Sequence, residues 1–210
     1  MPDAVVDVDS LLAPPTPTAG LAREVAREWE TDALFNHSLR SWVWASALGD
    51  SLGLDYDAEL LYVSSLLHDI GVADHFDSHR IAFEVAGGAA GWTFAAGAGW
   101  DVARRVRVAE VIERHMWAEV DPEFDVEGHL LEVATSLDVG GAEFDKWDPQ
   151  VLLAVVDEVP RLDFADSFAA SIHDQAVRKP HSNAVRVDTN ARARVGGEKW
   201  AAFLKEHGRA

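Results

Sequence analysis

The chain has 210 residues, 48% of them hydrophobic and 26% charged, which suits one folded domain with a sizeable core and argues against global disorder. Eighteen Lys and Arg stand against 36 Asp and Glu, a formal net charge of −18. A surface this acidic repels phosphate backbones and anionic head groups, so neither nucleic acid nor membrane is an expected partner.

Cysteine is absent, which removes disulfides, thiolate metal sites and cysteine nucleophiles. Residues 1–10 are acidic and lack a basic segment followed by an apolar run. No apolar stretch reaches the length of a membrane span. The expectation is a soluble, cytoplasmic protein.

Residues 1–20 read as a flexible tail, because Pro14, Pro15 and Pro17 remove backbone donors and Gly20 closes the stretch. Leu21, Val25, Trp29 and Ala33 then space an amphipathic helix to about residue 35. A second helix is expected from an Asn36 cap to about residue 52, ended by Gly53. A third, from about 57 into His68, is apolar nearly all round through Leu60, Leu61, Val63, Leu66 and Leu67, as a central buried helix would be. Gly71 breaks it, and residues 72–80 read as a polar loop. A helix rich in Ala and Gly covers about 81–96, where small side chains permit close approach although each interior Gly costs roughly 0.5–1 kcal/mol relative to Ala. Further helices are expected at about 101–117, 126–139, 149–158, 163–178 and 195–207, with Pro149 in a first turn and residues 181–192 as a loop. Neither strand alternation nor an internal repeat is present, so the class is all-α.

His68-Asp69 carries the chemical argument. The pair falls at the C-terminal end of the most buried helix, where a carboxylate meets the negative end of the helix dipole and has left water. A divalent cation would reverse both penalties, and imidazole with carboxylate suits Zn, Mn or Fe. His37 shares a stripe with Arg40, Ser41, Trp44 and Leu48 at the start of its helix. Asp138 shares one with Leu131 and Ala134. His115 lies on the Val108, Val111, Ile112 stripe and points inward, as a hydrogen-bonding support, a substrate contact or a ligand of a second metal. His129 precedes Asp138 by nine residues, which puts the two on opposite helix faces. Taken singly, each of these residues has a plainer reading as a hydrogen-bonded core group; together, in the order His, His-Asp, Asp, they argue for a metal site. His75 and His79 read as solvated or gating residues, and Arg104, Arg105 and Arg107 as a solvated helix face.

The segments Asn36-His37-Ser38-Leu39-Arg40, Leu66-Leu67-His68-Asp69-Ile70-Gly71 and Thr135-Ser136-Leu137-Asp138 resemble the HD-domain superfamily of metal-dependent hydrolases. Within it the chain looks most like the cyanamide hydratase branch, through Phe83-Glu84-Val85-Ala86-Gly87-Gly88, Ile112-Glu113-Arg114-His115, Pro160-Arg161-Leu162, Ser167-Phe168-Ala169 and Arg178-Lys179-Pro180. His181-Ser182 directly after Pro180 departs from the aromatic residue common there, which bears on the substrate pocket. The resemblance implies an HD-type helical bundle over 21–210, with a metal core at about 34–140 and additional C-terminal helices at 149–207. It implies Zn2+, with Fe2+ or Mn2+ as alternatives, held by His37, His68, Asp69 and Asp138.

The activity so implied is hydration of a small nitrile such as cyanamide to urea, with Asp69 orienting water and His115 and Glu84 as candidates for proton delivery. A phosphohydrolase acting on a nucleotide or small phosphate ester is the second reading. It needs cationic clamps, for which Arg40 is the best-placed candidate, with Arg80 and Lys179 behind it. A non-catalytic, metal-stabilised binding protein is the third. Exposed Trp and Phe on the terminal helices are the basis for expecting a homo-oligomer.

Overall fold

The computed structural model describes residues 8–209. Among them the chain is all-helical: eleven α-helices and two short 3-10 turns, without a strand. None of these helices is long and apolar enough to cross a membrane.

Of the tail expected over 1–20, residues 1–7 lie outside the described residues, and the remainder is folded. Helix α1 (Val8–Leu12) buries Val8 and Leu12 in the main core, and Trp42 Nε1 donates to the Leu11 carbonyl at 2.7 Å. Helix α2 (Pro17–Trp29) starts inside the proline-rich stretch. Pro17 occupies the first turn, where its missing N–H forfeits nothing, and the Thr16 hydroxyl accepts from Ala19 N.

The next boundary lies five residues earlier than expected. Thr31, not Asn36, caps α3 (Asp32–Leu52), its hydroxyl accepting from Leu34 N. Asn36 is already helical, and its amide donates to the Pro160 carbonyl. His37 therefore stands in the second turn rather than opening the helix. Gly53, at φ 63°, ends α3 in the left-handed conformation.

Helix α4 (Ala58–Leu67) is the centre of the molecule. Every residue from Leu60 to Leu67 is buried, and each fully buried Leu contributes about 1.5–3 kcal/mol. It packs against α2, α3, α6 (Val102–Arg114) and α7 (Val126–Gly140). The 3-10 turn Ile70–Val72 follows, and α5 (Phe83–Gly97) lies against it. The small residues of α5 allow that closeness: a Cβ on Gly71 would overlap the Phe83 carbonyl, and one on Gly87 would stand 2.9 Å from the His68 carbonyl oxygen.

The C-terminal third wraps the core with α8 (Pro149–Glu158), α9 (Phe164–Arg178), α10 (Ala184–Thr189) and α11 (Arg192–Glu206). Helix α10 replaces half of the loop expected over 181–192, because Ala184 and Val187 bury against α9. Trp200 on α11 is buried, stacked on Trp44, so it offers no exposed aromatic surface for an oligomer. The arginines of α6 are not a free solvated face either. Arg104 pairs with Asp57 and Glu59, and Arg107 with Asp125 and Glu127, tying α6 to the starts of α4 and α7.

Candidate metal centre

Three helix ends or turns deliver the central imidazoles. His68 follows the last residue of α4, and its Nδ1 lies 2.7 Å from the Ser65 carbonyl. A carbonyl only accepts, so Nδ1 carries the proton and Nε2 presents a lone pair. His115 repeats the device at the end of α6, with Nδ1 on the Ile112 carbonyl. His37 projects from α3 with Nδ1 on the Asp138 carboxylate, 2.5 Å from Oδ2.

The outward-facing nitrogens fix what faces inward. His37 Nε2 and His68 Nε2 are 3.1 Å apart, and Asp69 Oδ2 lies 3.5 Å from the first and 3.2 Å from the second. All three residues are at most 1% exposed. Two imidazole nitrogens and a carboxylate oxygen thus converge on one point, to which His68 offers its Nε2 lone pair. A tetrahedral cation with bonds of about 2.0–2.2 Å separates its donors by about 3.3–3.6 Å, so His37, His68 and Asp69 fit such an ion. Asp69 Oδ1 is a buried oxygen without a hydrogen-bond partner, and His115 Nε2 stands 3.4 Å from it.

The electrostatics of the three groups differ. Burial resists the charge on Asp69, yet the flanking His68, His115 and His37 hold its carboxyl well below the usual aspartate range. Burial keeps His68 below the usual histidine value and therefore neutral, as a ligand must be. Burial opposes charge on His37 too, but Asp138 and Asp69 outweigh it and raise that ring.

Asp138 stands behind His37 instead of joining the convergent set. Arg40 donates to it through Nε and Nη2, the latter at 2.7 Å, and Arg161 Nη1 pairs with its other oxygen. Burial resists the charge on Asp138, but Arg161, Arg40 and His37 outweigh it and hold the carboxyl far below its ordinary range. Arg40 is fully buried, and its remaining donor Nη1 serves the Val159 and Pro160 carbonyls. Its guanidinium, expected to bind substrate, is thus largely engaged by the protein itself. Arg161, to which sequence gave no role, is held over this carboxylate by the turn at Leu162, whose φ is 51°. Phe164 then stacks on the His37 ring with centroids 4.3 Å apart.

The profile of the HD domain family matches residues 34–139, a span that begins just before His37 and ends just after Asp138. The chain belongs to the HD domain family. It is also similar to the cyanamide hydratases DDI2 and DDI3 of Saccharomyces cerevisiae, each 32% identical over 173 residues, covering 80% of this chain and 76% of each relative.

In this HD domain two other sequence candidates fall away from the cluster. Lys179 is 5% exposed and spends its ammonium on Asp77 and Gln175, which with Arg178 pins the 72–80 loop to α9. Glu84 does not line the chamber beside the cluster; its Oε1 accepts from Asn183 Nδ2 at 2.9 Å. Its other oxygen, Oε2, is buried without a hydrogen-bond partner. His129 bonds the Val120 carbonyl, away from the cluster as its helix face requires.

Sequence reading missed Glu30. It ends α2, is buried, and its Oε2 accepts from Ser38 next to His37. Burial, and then Asp69 nearby, push its carboxyl well above the usual glutamate range. An acid just before a helix break gives no periodic signal of this burial.

The cluster of the HD domain opens on a chamber of only about 30 Å³, whose walls include His37, His68, Asp69 and His115 together with Thr135, Ser136, Phe168, Arg186 and Arg192. Phe168 also borders a wider cleft of about 480 Å³ lined by Trp29, Thr31, His75 and Ser167. His75 packs on Trp29 there, with ring centroids 4.6 Å apart.

Proposed function

We propose that this HD domain protein adds water to a small nitrile such as cyanamide, producing urea. The observation that carries the reading is the size of the chamber against the cluster: about 30 Å³ suits a molecule of a few atoms, whereas drug- or nucleotide-sized ligands occupy pockets of roughly 300–1,000 Å³. The similarity to two cyanamide hydratases over 80% of the chain supports the same substrate class.

His37 and His68, through Nε2, and Asp69, through Oδ2, are the residues that would hold the ion. Zinc fits this nitrogen and oxygen set, with iron or manganese as alternatives. A bound divalent cation supplies positive charge and a lowered pKa for nearby water. Asp138 fixes the His37 ring from behind. Asp69 Oδ1, lacking a partner, accepts a hydrogen bond from the attacking water and orients it toward the nitrile carbon. As the C–O bond forms, one π pair of the C≡N bond moves to nitrogen. His115 Nε2, 3.4 Å from Asp69 Oδ1, relays the proton released by water to that nitrogen. The resulting isourea tautomerises to urea.

The test is urea release from cyanamide by zinc-, iron- and manganese-loaded protein, run beside phosphate release from a panel of deoxynucleotides and small phosphate esters. Urea release that requires His68 and Asp69 supports the hydratase. Phosphate release alone overturns it in favour of a phosphohydrolase, and no turnover with metal fully bound overturns it in favour of a binding protein.

A further inference from the structure

Two arginines that the hydration chemistry does not use line the same chamber. Arg186 sits on α10 and Arg192 at the start of α11. Arg186 Nη2 donates to the carbonyl of Met116, the residue after His115, at 2.8 Å. The Nε of Arg192 lies 2.9 Å from where a Cβ on Gly140 would be, two residues beyond Asp138. Both guanidiniums are thus placed beside residues that neighbour the cluster.

Neither charge is neutralised by a direct ion pair. Among the described residues neither arginine has a carboxylate within ion-pair distance. The two act on each other as like charges, and burial adds to that cost for Arg192. Glu132 is the acid that faces both; it is buried, and one of its oxygens takes the Ser136 hydroxyl at 2.6 Å. In a chain with a net charge of −18, two half-buried cations facing one small cavity without paired acids are costly unless something anionic visits. Arginine's planar fork matches carboxylate and phosphate oxygens.

We propose that Arg186 and Arg192 form an oxyanion subsite, so that the physiological substrate is a small compound bearing a carboxylate or phosphate away from the group that reacts at the His37–His68–Asp69 cluster. This rests on the hydratase reading for the reacting group but not for the anion.

The experiment therefore has two arms. In the first, cyanoacetate and inorganic phosphate are titrated calorimetrically into zinc-loaded wild-type, Arg186→Gln, Arg192→Gln and Arg192→Lys proteins. Loss of a charge-assisted hydrogen bond weakens binding about tenfold or more in each Gln variant, with Arg192→Lys in between. In the second, hydration of cyanoacetate is compared with that of cyanamide, and the ratio of their kcat/KM values falls about tenfold in the Gln variants. Tighter binding of cyanoacetate than of phosphate assigns the carboxylate, and the reverse assigns the phosphate. Equal affinities in all four proteins, or parallel loss on charged and neutral substrates, overturn the subsite. Failure of the hydratase reading alone would abolish turnover in the second arm and leave the affinity differences of the first intact.

Discussion

Asp138 Oδ2 lies 2.5 Å from Nδ1 of His37, so this carboxylate reaches the cluster through the imidazole it holds. Asp138→Asn leaves the shape and removes the charge. Metal affinity is expected to fall roughly 10–100-fold, the usual effect of losing a carboxylate behind a ligating histidine. The melting temperature falls as well, because Arg40 and Arg161 become buried cations without a counterion. Zinc titration with a competing chelator, alongside thermal melts, checks both.

His68→Ala and His129→Ala separate a ligand from a bystander on sequence types that look alike. The first removes one of three converging donors and is expected to lose metal and activity together. The second removes only a bond to the Val120 carbonyl, so metal content stays near wild type. Elemental analysis of the purified variants reads the difference directly.

Gly71→Ala tests the close approach of α5. Its Cβ would collide with the Phe83 carbonyl and stand 3.0 Å from Gly87 N, and backbone cannot rotate aside as a flexible side chain can. A loss of about 3 kcal/mol is expected, at the high end for overpacking, with metal affinity reduced because Asp69 is two residues away. Denaturant unfolding with and without zinc measures it.

Asp125 gives the pH dependence. It caps α7 through Gly128 N and receives Arg107 and Arg114, each at 2.6 Å. Burial opposes its charge, but the two arginines prevail and hold the carboxyl below the usual aspartate range. A depressed carboxylate stabilises the fold above its unfolded pKa of about 4 and loses that contribution as pH falls through the folded value. Asp125→Ala should therefore cost about 3 kcal/mol at neutral pH. The gap to wild type should narrow as pH drops below about 4. Unfolding curves across that range would contradict the assignment if the gap stayed constant.

Phe168 borders both the inner chamber and the outer cleft. Phe168→Ala should merge them and relax the size limit, improving kcat/KM for larger nitriles relative to cyanamide by about tenfold, the scale of discrimination an apolar contact supplies. An unchanged preference across a size series would place the limit elsewhere.

The sequence by itself determined the helical class, the central position of α4 and the inward direction of His37, His68, Asp69 and His115, because hydrophobic period and helix-stop residues are local and repeat along the chain. It could not tell a buried charge bound to a substrate from one bound to the protein. Arg40 and Lys179 look like clamps until Asp138 and Asp77 are seen to occupy them. Glu30, Arg161, Arg186 and Arg192 matter only through partners or cavity walls distant in sequence, and only the tertiary structure brings those together. The same holds for α10, a six-residue helix too short to be stable by propensity, which exists because α9 offers Ala184 and Val187 a place to bury.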